Sequence, residues 1–187
     1  MDEDKIKSAT DDEDVKLMLA VKDGDDQAFE QLVLRHQKPL LNFFCRLGVN
    51  ISDAEDLAQL TFVRLYRYRA TYERTAKFTT YLYLLARQVR IDEVRRQIKI
   101  SKVKDAAKGV AEIFEASSND KAQNSLQDDL QVALQSLDEP HREVVVLGSM
   151  LRELPYQEVA EILKIPVGTV KSRMHHALKQ LKKFLES

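Results

Sequence analysis

The chain has 187 residues, 44% of them hydrophobic and 32% charged, with no Trp, five Gly and four Pro. That length fits one ordinary domain or two small ones, and that composition favours packed helices over sheets. A net charge of -1 hides strong alternation: residues 1–30 carry -7, 61–104 carry +9, 105–140 carry -6 and 141–187 carry +3. No apolar run reaches the roughly 18 residues of a membrane span, so membrane insertion is not expected. The acidic N-terminus lacks the apolar segment of a secretory signal, and a lone Cys45 in an apolar run builds no disulfide framework; both suit a cytoplasmic protein.

In chain order, residues 1–11 are polar and acidic and read as disordered. A first helix is expected from Asp12 to Lys22, ended by Gly24. Asp25 or Asp26 caps a second helix that reaches about Leu47, with a kink expected at Pro39. Ser52 followed by Glu55 reads as a capping box opening a third helix. Its apolar residues lie on more than one side, which predicts packing between neighbours. Thr71 to Lys77 is a polar loop. A fourth helix is expected from Phe78 to about Ile100, with Phe78, Tyr81, Leu82, Leu85 and Val89 on one face and Asp92 either pairing with a nearby Arg or pointing at the domain rim. A polar, acidic linker follows, with a short helix near Val110 to Phe114. Leu130 to Leu137 is a further helix, and Pro140 starts another that runs to about Leu151.

The last 34 residues hold the clearest pattern. Tyr156 to Leu163 reads as a short helix with Val159, Ala160 and Leu163 inside. Lys164-Ile165-Pro166 is a turn, since Pro166 cannot continue the first helix but suits the start of the next. Lys164 stands where such turns often carry Gly for a positive φ. Val167 to Leu185 is a second helix, with Val167, Val170, Met174, Leu178, Leu181 and Leu185 as its apolar stripe and five Lys or Arg without one acid. This is helix-turn-helix geometry, with Thr169, Ser172 and Arg173 placed to meet base edges in a major groove.

Two further groups of residues bear on function. Glu55, Asp56 and Gln59 share a face at the start of the third helix and could serve its dipole or dock a partner. Tyr83, Arg87, Arg90, Ile91, Val94 and Arg95 are expected on the outward face of the fourth, a mixture that suits stacking on unpaired bases together with phosphate contacts. No HExxH, no Cys/His pair at ligand spacing, no Gly-rich phosphate loop and no Ser-His-Asp arrangement is present, so neither catalysis, a metal nor a cofactor is expected. From these residues alone, a stand-alone helix-turn-helix regulator remains an alternative.

The order of the motifs resembles the extracytoplasmic-function (ECF) group of bacterial RNA polymerase sigma factors. DAEDLAQLTFVRLYRYR is similar to the segment that docks on the β′ clamp helices of polymerase core. FTTYLYLLARQVRIDEVRR is similar to the segment that melts and reads the −10 element, and LPYQEVAEILKIPVGTVKSRMHHAL to the helix-turn-helix that reads the −35 element and sits on the β flap. The resemblance implies an all-α fold of two small helical domains, 12–103 and 128–187, joined by a flexible acidic linker, 104–127. It implies core docking by Glu55, Asp56, Leu57 and Gln59. It implies −10 contacts by Tyr72, Lys77, Tyr81, Tyr83, Arg87, Gln88, Arg90 and Arg95, with the loop from Tyr72 to Lys77 holding a flipped base. Thr169, Lys171, Ser172, Arg173, His176 and Lys179 would read and hold the −35 duplex. The implied partners are polymerase core, promoter DNA and an anti-sigma factor. Tyr81, Leu84 and Gln88 depart from the Trp, Arg and Asn usual in the family, which bears on −10 preference.

Overall fold

A computed structural model describes residues 3–107, 125–150 and 154–186, with side chains described for 12–101, 129–148 and 154–186. The elements are α1 (Glu3–Lys22), α2 (Asp26–Arg46), α3 (Ile51–Arg67), a 3-10 turn (Arg69–Thr71), α4 (Phe78–Ala107), α5 (Ser125–Gln135), α6 (Glu139–Val145), α7 (Tyr156–Leu163) and α8 (Val167–Leu185). Among the described residues there is no strand, and the fold is all-α. Helices α1 to α4 pack on one another, as do α6, α7 and α8, and α4 also lies along α7. The centre of the linker and the short helix expected near residue 110 lie outside the described residues.

Helix α1 begins at Glu3, nine residues before the start expected at Asp12. The segment 3–22 contains neither Gly nor Pro, so nothing local stops the helix there. The buried Asp14 fastens it to its neighbours. His36 Nε2 lies 2.8 Å from one carboxylate oxygen and Arg35 Nη1 donates to the other at 3.1 Å. The His36 ring in turn stacks 5.2 Å from Phe78, the first residue of α4. Burial acts to raise the Asp14 pKa, but the hydrogen bonds and charges of His36 and Arg35 prevail and hold it below the usual aspartate value.

Helix α2 starts on Asp25, whose side chain accepts from the backbone N–H groups of Gln27 and Ala28, and runs through Pro39 as a single element. It buries Ala28, Leu32, His36, Leu40, Phe43 and Phe44. The cap of α3 is Asn50 rather than Ser52. Its side chain accepts from the Asp53 N–H and donates back to the Asp53 carboxylate, both at 2.9 Å, so the reciprocal cap lies two residues earlier than the S-x-x-E pattern suggests. Helix α4 continues seven residues past Ile100, to Ala107.

In the second half, Pro140 occupies the first turn of α6, as expected, and Asp138 caps it. The helix then widens into a π-helical turn, Val146–Met150. Val144, Val145, Val146 and Leu147 pack with Val159, Ile162, Leu163, Val170, Met174, Ala177 and Leu181 in the apolar core. The stripe of α8 differs from expectation at two places. Ala177 is fully buried, while Leu178 is 50% and Leu185 64% exposed. The inward positions step 170, 174, 177, 181, and a small residue at 177 allows close approach where Leu178 would point away.

The two halves meet at a polar seam. The carbonyl of Cys45, at the end of α2, accepts from Gln131 at 2.7 Å, and that of Leu47 accepts from Arg142 at 3.1 Å. The Cys45 carbonyl also accepts from the Gly48 N–H at 3.0 Å, the Leu47 carbonyl lies just past the helix, and a cation suits the negative end of the helix dipole. Gly48 closes α2 at φ +93, a left-handed conformation that favours glycine, and the ends of the Gln135 and Arg142 side chains lie where a Cβ would project.

Candidate nucleic-acid interface

At the start of α3, Glu55, Asp56 and Gln59 are exposed. Leu57, grouped with them on the sequence, is only 4% exposed and belongs to the core. Leu60 and Val63 instead carry the exposed face onward, at 45% and 59%. Asp56, Gln59, Leu60 and Val63 follow the i, i+3, i+4, i+7 spacing of a single helical face. The second apolar side of α3, expected to pack within the chain, is thus open. It borders a groove of about 430 Å³ between α3 and α4, whose lining includes Leu60, Val63, Tyr68, Val89 and Arg96. The sequence signal was the excess of apolar residues around α3, which points equally to burial and to docking.

The loop after the 3-10 turn is held on both sides. Lys22 donates to the Tyr72 carbonyl at 2.8 Å, and Arg74 pairs with Asp12 at 2.9 Å. Tyr72 is 2% exposed, with its ring edge-on to Tyr81 at 5.1 Å. Tyr83 is 5% exposed and meets Phe43 edge-on at 5.2 Å. Neither ring offers an open stacking face, which corrects the outward placement of Tyr83. Tyr81, Gln88, Arg87 and Arg90 are half-buried and Arg95 is exposed. Asp92 pairs with Arg64 of α3 at 2.8 Å, as its position suggested.

The cations of α4 and its preceding loop do not face water alone. Lys77 Nζ is 2.7 Å from Glu158, and the Thr80 hydroxyl donates to the other oxygen of that carboxylate at 3.1 Å. Arg87 lies 3.4 Å from Glu143, and Arg90 sits 2.6 Å from Glu139 and 3.7 Å from Glu143. All three acids come from the second half of the chain. Burial pushes the Glu143 carboxyl above the ordinary glutamate range, against the pull of Arg87 and Arg90.

The helix-turn-helix has the bounds its sequence predicts, Tyr156–Leu163 and Val167–Leu185. Lys164 adopts φ 55, ψ 45, so the turn does need the left-handed region and a β-carbon occupies it. Lys171, Ser172, His176 and Lys179 are exposed, and Thr169 and Arg173 are half-buried. Arg173 and His176 lie toward the start of α6: the His176 ring is 6.4 Å from that of His141. His141 foremost, with a smaller contribution from Arg173, lowers the Asp138 pKa.

Residues 32–99 match the family model for Sigma-70 region 2 and residues 133–183 that for Sigma-70 region 4. The ECF RNA polymerase sigma factor SigW of Bacillus subtilis is 33% identical over 180 residues, which span 91% of this chain and 95% of that protein. The chain belongs to the ECF sigma factors. The RNA polymerase sigma-H factor of Pseudomonas aeruginosa is 28% identical over 185 residues, covering 95% and 96% of the two chains. Among solved structures, the sigma factor RpoE of Bartonella quintana, in complex with the anti-sigma factor NepR, superposes with a TM-score of 0.66 at 25% identity over 84% of this chain and 96% of that one. CnrH, in complex with the cytosolic domain of CnrY, shares the fold, with a TM-score of 0.68 at 23% identity over 93% and 97%. A sigma factor is a regulatory protein that directs polymerase to promoters.

Proposed function

We propose that this sigma factor docks on polymerase core through α3 and reads a promoter with α4 at one end and α8 at the other. Glu55, Asp56 and Gln59, with the exposed Leu60 and Val63, form the face offered to the β′ clamp helices. The observation that carries this is the open amphipathic face of α3, which no part of the described chain covers. Lys77, Arg87, Arg90 and Arg95 take the backbone of the unpaired −10 strand, with Tyr81 and Gln88 at its bases. A base flipped into the loop from Tyr72 to Lys77 requires that loop to open, because the Tyr72 ring is buried. Ser172, Arg173 and His176 read the −35 duplex while Thr169, Lys171 and Lys179 hold its backbone. The second bundle rests on the β flap.

The domains are 12–103 and 128–187, and 104–127 is the tether that lets polymerase set their separation. Two weak sites fixed on one scaffold bind as one strong site, which is why α8 can be modestly basic. By analogy with RpoE and NepR, an anti-sigma protein is proposed as the regulator, acting in the cytoplasm. No helix among the described residues is long and apolar enough to cross a membrane.

The test is size-exclusion chromatography of the chain with purified core polymerase, beside gel shifts on duplex promoters. The chain should co-elute with core and shift duplex DNA specifically only in its presence. Specific, core-independent binding to a palindromic duplex would support a stand-alone regulator instead.

A further inference from the structure

The loop between the 3-10 turn and α4 has little of its own to fix its shape. Among the described residues, the one backbone hydrogen bond inside 73–77 runs from the Thr75 N–H to the Glu73 carbonyl, at 2.8 Å. Glu73, Arg74, Thr75 and Lys77 are exposed, so core packing does not hold them. Much of the restraint comes from α1. Lys22, in the last turn of that helix, donates to the Tyr72 carbonyl at 2.8 Å. Asp12, further back on α1, pairs with Arg74 at 2.9 Å. The far end of the loop is reached through Asp14, whose carboxylate holds His36, and the His36 ring meets that of Phe78 at 5.2 Å. One helix thus bears on the start, the middle and the end of the same loop. It is a firm base for doing so, because Asp14, Val15, Met18 and Val21 are all buried. A lysine in a last turn also suits the helix dipole. Here, however, the ammonium is aimed at a carbonyl of another element, and a bond from an ionised donor is roughly twice as strong as a neutral one. Holding that oxygen fixes the peptide plane between Tyr72 and Glu73, the first link of the loop.

We propose that Lys22 is a positioning residue for −10 recognition, acting through the loop rather than on DNA. It sets the peptide plane at the loop's entrance, and Asp12 supports it by holding Arg74. The inference rests on the reading, given above, that the loop from Tyr72 to Lys77 holds a flipped base. Selecting one base requires groups held within about 0.5 Å of their working positions. A loosened loop therefore loses discrimination even where contacts to the strand's backbone survive. The tether also defines what moves when the loop opens. The Tyr72 hydroxyl makes no hydrogen bond in its buried site, so the ring leaves that site without giving one up. Its carbonyl stays on Lys22, and the backbone keeps its place while the ring makes room. Base choice at one −10 position is thus set partly by a helix that lies outside the reading stripe.

The test uses the full chain, reconstituted with purified core polymerase, on a promoter library randomised over both elements. Initiation is read at each position as the ratio between the best and the worst base. Lys22→Met removes the charge and keeps the stem. It should lower that ratio about tenfold at one −10 position, the size of one hydrogen bond from a charged donor, and leave the −35 ratios unchanged. Lys22→Arg still carries a cationic donor to the carbonyl and should keep the wild-type profile. Asp12→Asn should cost about twofold at the same position, as suits an exposed ion pair. Lys16→Met removes an exposed lysine of the same helix and should match wild type, which controls for net charge. A wild-type profile for Lys22→Met overturns the proposal. So does a fall spread over both elements, which marks a general loss of the fold. An even drop across all −10 sequences also overturns it, because that marks Lys22 as a phosphate contact. Combining Glu73→Ala, Arg74→Ala and Thr75→Ala separates the tether from the reading beneath it. If the combined variant changes the −10 profile while Lys22→Met does not, the tether alone is wrong. If neither changes it, the loop is not the base holder and both readings fall.

Discussion

The two bundles hold their cations in opposite conditions. On the first, Lys77, Arg87 and Arg90 are already matched with carboxylates from the other half of the chain. On the second, Lys171 and Lys179 are exposed on a helix with no acid along its length. The bundles also differ in where local stability is given up. The first buries an ionised Asp14 between His36 and Arg35, whereas the second forces Lys164 into a left-handed turn. The difference teaches that charge content alone does not tell which basic segment is available. The more basic segment, residues 61–104, is the one that its own chain covers.

The contrast can be broken most severely at α3. Asp56→Arg places a cation on an exposed face and should weaken core binding at least about 100-fold, because a misplaced charge at a contact costs several kcal/mol. The isolated variant should keep its helical circular dichroism, and normal co-elution with core would refute the docking face. Next in size is the buried anchor of the first bundle. Asp14→Ala leaves the buried His36 without its carboxylate, while Arg35 keeps Glu13, and should destabilise that bundle by about 3 kcal/mol, measured by urea denaturation. Because the folded pKa of Asp14 is depressed, its contribution is complete above about pH 4 and is lost as pH falls through the lowered value. Wild type and variant should therefore converge in stability only under strong acid, and convergence near neutrality would contradict the ion-pair account.

On the second bundle, Arg173→Ala should reduce discrimination between intact and scrambled −35 sites by about 1–3 kcal/mol, read from initiation rates on the two templates. Discrimination equal to wild type would remove Arg173 from base reading. The smallest effect is expected at the turn. Lys164→Gly should stabilise the second bundle by up to about 1 kcal/mol, since glycine adopts positive φ without the steric penalty of a β-carbon. A loss of stability would mean that the Lys164 side chain contributes more than its backbone strain removes.

Much of this was legible in local pattern. Pro166 and the stepping of apolar residues placed α7 and α8 to the residue, because a helix-turn-helix is specified by neighbours in the chain. The exposed acids of α3 and the exposed Lys171 and Lys179 were legible for the same reason. What escaped the sequence depends on distant partners. Leu57 and Leu60 look alike on paper, and only the packing of α2 and α4 on α3 decides that one is core and the other surface. Tyr83 shares a helical turn with Arg87, yet Phe43 draws its ring inward. Leu178 outranks Ala177 in hydrophobicity, yet close helix packing buries the smaller residue. The carboxylates on α4 stand 49 to 81 residues from their cations, beyond the reach of any periodicity.

The chain is proposed to give polymerase its promoter selectivity through two separated readers. Transcription by purified core polymerase on a randomised promoter library, with and without the protein, tests it most directly. The account predicts that initiation appears only when the protein is added, and that the selected templates share two elements, one upstream duplex motif and one at the melted start region. Transcripts whose selection depends on a single element, or no initiation at all despite co-elution with core, would contradict it.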